Sequence, residues 1–137
     1  IAMSLGGYVT EKTIFGDLTT GPSNDLQVST AMARDMVTKY GMSDRIGPIA
    51  LEGAGGKALF GRGVEDKDYS ERVSAMIDEE VSKIMNEALA RAEKVISEHR
   101  KLLDIIAKRL VEKETIEKDE FEGMLVANGI ELKKKIV

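Results

Sequence analysis

At 137 residues with a formal net charge of −4, the chain is long enough for one domain with a modest core, and its mildly acidic, interspersed charge argues against nucleic acid as the main partner, which would need a basic surface. The absence of cysteine excludes disulfides and thiolate metal sites, and 3 Phe, 3 Tyr and no Trp leave Leu, Ile, Val, Met and Ala to fill the core, which suits packed helices. No run approaches the ~20 apolar residues that cross a bilayer as a helix.

In chain order, Ile1, Met3, Leu5, Val9 and Ile14 predict a short helix over residues 1–14, with Gly6 and Gly7 permitting close approach of another backbone. IAMSLGG opens inside an apolar pattern without an initiator Met, so a fragment of a larger protein is expected, cut inside or just before a helix. FGDLTTGPSN is loop chemistry. Ser23 or Asn24 is then placed to cap a helix running to about Tyr40, with Leu26, Val28, Met32, Met36 and Val37 at helical spacing and Gly41 closing it. Residues 41–67 are glycine-rich with short apolar pieces at Ile46, Ile49–Leu51 and Leu59–Phe60, and predict a flexible loop with one or two short strands.

From Asp68 the pattern is helical. Asp68 and Glu71 have capping-box spacing, and Val73, Ile77, Val81, Ile84, Ala88, Val95, Leu102 and Ile106 recur at steps of three, four or seven. Such a run is too long for one helix of an ordinary domain, so a break is expected near Ser97–Arg100. A last short helix follows Thr115, with Phe121, Met124 and Leu125 on its apolar face. Residues 131–137, with Lys133, Lys134 and Lys135, read as a solubilising tail. The predicted fold is mainly α: a helical bundle with a glycine-rich loop, and room for a short β-hairpin, between the second and third helices.

Few residues invite chemistry. GAGGKA at 53–58 fails the phosphate-loop spacing: the required glycine position is Leu51, and Ala58 cannot hold magnesium. His99 is the only histidine, so an H-E-x-x-H zinc helix cannot come from this chain; at a helix junction it reads as a cap or a harmless titrating group. Asp25 lies in the first turn of the second helix, where the helix dipole and free N–H groups favour any carboxylate. From these residues alone the reading stops at a mainly helical domain.

LGGYVTEKTIFGDLTTGPSNDLQVSTAMARDMV, then GMSDRIGP, LFGRG, and the helical stretches DYSERVSAMIDEEVSKIMNEALARAEKVI and EHRKLLDIIAKRLVEKETIEKDEFEGML occur in an order and at spacings that resemble the peptidase domain of the FtsH family. That family comprises membrane-anchored, ATP-dependent zinc metalloproteases of the AAA type. The resemblance covers residues 1–130 and implies a truncated peptidase domain. It implies that Asp25, the aspartate of the N-D-L segment, is the third zinc ligand, and that Glu11 is a carboxylate close to the site that orients the ligands. The two histidines and catalytic glutamate of H-E-x-x-H would lie upstream of Ile1, and no catalytic residue within this chain. A chain without them would be inactive alone and would not hold zinc stably.

For the parent, the resemblance implies ATP bound in an ATPase module outside this chain, a homo-hexamer, and membrane and soluble proteins as substrates. It also implies membrane attachment only through N-terminal segments, with this domain on the cytoplasmic or organelle matrix or stroma side. Tyr8, Thr10, Pro22 and Ser29 depart from the family's usual Arg, Ala, Ala and Ala near the Asp25 loop. They leave open another expectation, a non-catalytic helical oligomerisation module of a degenerate paralogue.

Overall fold

Ser29, Ala33 and Val37 follow one another at four-residue steps, and this row turns the second helix toward the core. In the computed structural model, which describes residues 1–51 and 69–132, all three are buried. The chain divides into two units, Ile1–Glu93 and Lys94–Val137.

In the first unit, α1 (Gly6–Thr10) runs into a π-helical turn (Glu11–Phe15) that ends at Gly16 in the left-handed region, φ 71°. The predicted first helix is therefore present but begins later, and it widens at Glu11. Gly6 and Gly7 do not serve a close backbone approach: a Cβ at either would meet nothing within 4 Å.

The second helix, α2, spans Ser23–Thr38. Neither Ser23 nor Asn24 caps it. Pro22 holds the capping position without a side-chain bond, with φ −78°, and its carbonyl accepts from Leu26 N–H at 3.0 Å. A proline suits a helix start because its φ is preset and its lost N–H would have had no partner there. The other end comes earlier than expected, with Lys39 rather than Gly41 at the C-cap. Gly41, two residues on, has φ 61°, and a Cβ there would lie 3.1 Å from Pro48 Cα, so both conformation and space require glycine.

α3 (Glu71–Glu98) packs its apolar stripe on α2. Ala33, Val37 and Ile77 have no exposed surface and Val81 has 7 %, and Ile1, Ile46, Leu51, Tyr69, Val73, Ile84 and Met85 pack around them. Three consecutive acids of α3 fasten different neighbours. Asp78 accepts from Arg34 of α2 at 2.9 Å, Glu79 pairs with Arg45, and buried Glu80 accepts from the Ser43 hydroxyl at 2.8 Å. Leu51 N–H also bonds to Thr38 carbonyl oxygen at 2.7 Å. The segment after α2 is thus a set of tied turns up to Leu51.

No strand occurs among the described residues. Ile46 and Ile49–Leu51, two of the pieces expected to form short strands, lie instead in turns and irregular backbone. Leu59–Phe60, most of the expected flexible loop and the Asp68 capping position fall on residues 52–68, outside the described residues. Ser70 stands at the start of α3, its hydroxyl 3.4 Å from Val73 N–H.

In the second unit, the last turn of α3 ends at Glu98, His99 leaves helical geometry with ψ 22°, and α4 begins at Arg100 and runs to Lys113. The break expected near Ser97–Arg100 is there. α5 (Lys118–Ala127) returns on α4 through a charged hub: the Glu120 carboxylate accepts from Arg109 Nε at 2.5 Å and Lys113 Nζ at 3.2 Å. The bond from Arg109, then that from Lys113, hold the Glu120 carboxyl below its ordinary value. No helix among the described residues is long and apolar enough to cross a membrane. The protein is mainly α.

Candidate metal-ligand site

Asp25 is the third residue of α2 and heads the row that continues through Ser29, Ala33 and Val37. The lower part of that row is locked in the core, but Ser23, Asn24 and Asp25 stand in solvent. Among the described residues the Asp25 carboxylate has no hydrogen-bond or ion-pair partner. It is an anion at a positive helix end, free to accept a cation.

The loop leading to it is closed by Glu11. This half-buried residue opens the π-helical turn, and its Oε2 accepts from Thr19 N–H at 2.8 Å. The Thr19 hydroxyl donates to Glu11 Oε1 at 2.9 Å and accepts from Gly21 N–H at 3.0 Å. Glu11 and Asp25 therefore flank the same loop, one at its root and one just past its end. Sequence reading picked out both residues but missed Thr19; the T-T-G-P run, typical of side-chain-to-backbone turns, was the available signal.

Ser29 lies one turn beyond Asp25. It is 1 % exposed, and its hydroxyl has no partner among the described residues. Thr10, Thr30 and Thr38 each donate to the carbonyl four residues back at 2.8–2.9 Å, which Ser29 does not. A buried hydroxyl without a partner is destabilising, so Ser29→Ala is expected to stabilise the protein by about 1 kcal/mol. Urea denaturation checks this, and a loss of stability would mean that the hydroxyl is satisfied in solution.

No group of three or more His, Cys, Asp or Glu side chains suited to a metal occurs among the described residues. His99, exposed between α3 and α4, makes no side-chain cap bond.

The profile of peptidase family M41 matches residues 1–124. The "ATP-dependent zinc metalloprotease FtsH 3" of Synechocystis sp. is 47% identical over 135 residues, which cover 96% of this chain and 22% of that protein. The "ATP-dependent zinc metalloprotease FtsH" of a Synechococcus strain is 44% identical over 128 residues (91% and 20%), and that of Kosmotoga olearia is 47% identical over 117 residues (85% and 18%). The chain thus spans about a fifth of the length of these relatives. Matched over nearly all its length by one profile and by proteins sharing close to half its residues, the chain belongs to peptidase family M41.

Proposed function

We propose that this chain supplies Asp25 as one zinc ligand in the peptidase site of an ATP-dependent zinc metalloprotease of the FtsH type. The observation that carries the reading is the Asp25 carboxylate, without a partner among the described residues, on a helix whose next turns are locked in the core. A carboxylate is an ordinary zinc donor, and a catalytic zinc takes about three protein ligands and keeps one position open. With one histidine in the chain and no candidate cluster among the described residues, the two histidine ligands of this reading come from residues outside it. The chain alone is then inactive.

When bound, zinc supplies a water whose pKa is lowered toward ~7. The chain's own residues do the positioning. Aspartate has a short side chain, so the placement of α2 sets where its oxygens reach. Among the described residues Glu11 Oε1 accepts only from the Thr19 hydroxyl and so keeps lone-pair capacity to accept a ligand histidine's N–H, which fits an orienting role.

Proteins are the substrates in this reading, delivered by ATP hydrolysis in a module beyond this chain. The parent assembles as a homo-hexamer and is held to a membrane by other segments, with this domain on the cytoplasmic, matrix or stromal side.

Elemental analysis of the full-length protein, beside an assay of protein cleavage, tests the proposal. About one zinc per chain with cleavage is expected. A full-length protein with neither would leave Asp25 as a helix-end charge and favour the non-catalytic oligomerisation module.

A further inference from the structure

The first turn of α2 lies beyond the reach of the core. Ser23, Asn24 and Asp25 are exposed, and so is every loop residue from Phe15 to Gly21. Apart from buried Pro22, apolar burial does not hold this stretch, and helix ends with few tethers open readily. What holds it is a chain of polar bonds leading back to one carboxylate. Thr19 binds Glu11 twice, through its N–H at 2.8 Å and its hydroxyl at 2.9 Å. The same hydroxyl accepts from Gly21 N–H, Thr20 carbonyl accepts from Ser23 N–H at 3.1 Å, and buried Pro22 passes the connection to Leu26. Bonds at Thr19, Thr20 and Pro22 thus link the Glu11 carboxylate to the first turn of α2. The packing is close as well: a Cβ at Gly21 would come 3.1 Å from Glu11 Oε1 and 3.2 Å from Thr19 Oγ1. Bonds to an ionised acceptor are stronger than neutral ones, which suits an exposed latch.

We propose that Thr19 is a positioning residue for Asp25: by gripping Glu11 with its backbone N–H and its hydroxyl, it closes the loop over residues 16–22 and fixes where the first turn of α2 presents its carboxylate. This rests on the reading of Asp25 as a zinc ligand. It adds that the Glu11 carboxylate acts on the metal site through the loop as well as through any direct contact. Removing the hydroxyl leaves the N–H bond and the core intact, so the fold should tolerate it while the aim of Asp25 suffers.

The test uses the full-length protein carrying Thr19→Val, Thr19→Ser or Asp25→Ala. Zinc affinity is read by chelator competition, loop mobility by hydrogen exchange of the peptide spanning residues 16–22, and stability by melting. Thr19→Val is expected to weaken zinc by ~10–100-fold, as loss of an outer partner does, and to speed loop exchange. Its melting temperature should be that of the wild type, as for most exposed substitutions. Thr19→Ser should restore affinity and exchange together. Zinc affinity unchanged in Thr19→Val but lost in Asp25→Ala would overturn the positioning role and leave Asp25 a ligand. Failure of Thr19→Ser to restore affinity would also overturn it. A wild type that binds no zinc, or an Asp25→Ala variant that binds zinc normally, would overturn the reading of Asp25 and the role of Thr19 with it.

Discussion

Asp25→Asn in the full-length protein is expected to lose zinc while the fold stays nearly as stable as before. The two consequences separate because the proposed site would give the carboxylate a second task besides its place at a helix end. As an anion in the first turn of α2 it interacts with the helix dipole, an effect of ~0.3–1 kcal/mol at an exposed position. As a ligand it would supply about a third of the protein donors to the metal, and its loss should exceed the ~10–100-fold typical of partners that only orient ligands. Asparagine keeps the shape and removes the charge. Asp25→Glu sharpens the comparison: it restores the anion for the dipole but adds a methylene, so stability should recover and zinc should not. Melting curves and chelator titration of the same samples give both quantities. Zinc retained at wild-type affinity in Asp25→Asn would reduce Asp25 to its helix-end role.

The largest effect on stability is expected at Ile77. It is fully buried, and it meets Ala33, Val37 and Val81 where α2 crosses α3. Ile77→Ala removes most of a side chain from a close-packed cluster and leaves a void that the surrounding structure closes only in part. Such substitutions cost ~2–5 kcal/mol, whereas Ile77→Val should cost ~0.5–1.5 kcal/mol. Against a usual total of ~5–15 kcal/mol the alanine variant is a severe lesion. Urea denaturation followed by far-UV circular dichroism reads both variants on the described helices. Equal losses for the two would mean that the cluster relaxes around the cavity.

Much of the helical layout was legible because it depends on local signals. The step pattern through Val73, Ile77 and Val81 marks the buried stripe of α3, and the break at His99 follows from the implausible length of one uninterrupted helix. Gly41 was readable as a turn residue because few others adopt its left-handed conformation, but α2 stops two residues earlier, with Lys39 at its C-cap. Errors arose where two local signals competed. Ser23 and Asn24 are better capping residues than Pro22 by side-chain chemistry, but proline's fixed backbone takes the boundary one residue earlier. Gly6 and Gly7 suggested a neighbour that is not there among the described residues, since glycine signals permission for contact and not contact itself.

The candidate site was legible in another way. A lone acid in a first turn looks the same whether it balances a dipole or waits for a metal, so spacing within this chain could not assign Asp25. The assignment came from the resemblance carried by ordered motifs over the whole length, and it implies partners outside the chain, which itself has a single histidine. Thr19 was missed because its role depends on a carboxylate eight residues earlier, across a π-helical turn that no simple period describes.

The acidic triplet of α3 has a consequence for how the fold stays unique. Successive residues of a helix point about 100° apart around its axis, so Asp78, Glu79 and Glu80 reach out in three directions, toward Arg34, Arg45 and Ser43. Each exposed pair contributes only ~0.2–1 kcal/mol, too little to hold the helices together. Their value is discrimination. If α3 slid by one residue or rolled about its axis, all three acids would face wrong neighbours together and Glu80 would carry its buried charge away from its only donor among the described residues. The triplet works like the wards of a key: it adds little force to the closure and rejects every rotation but one.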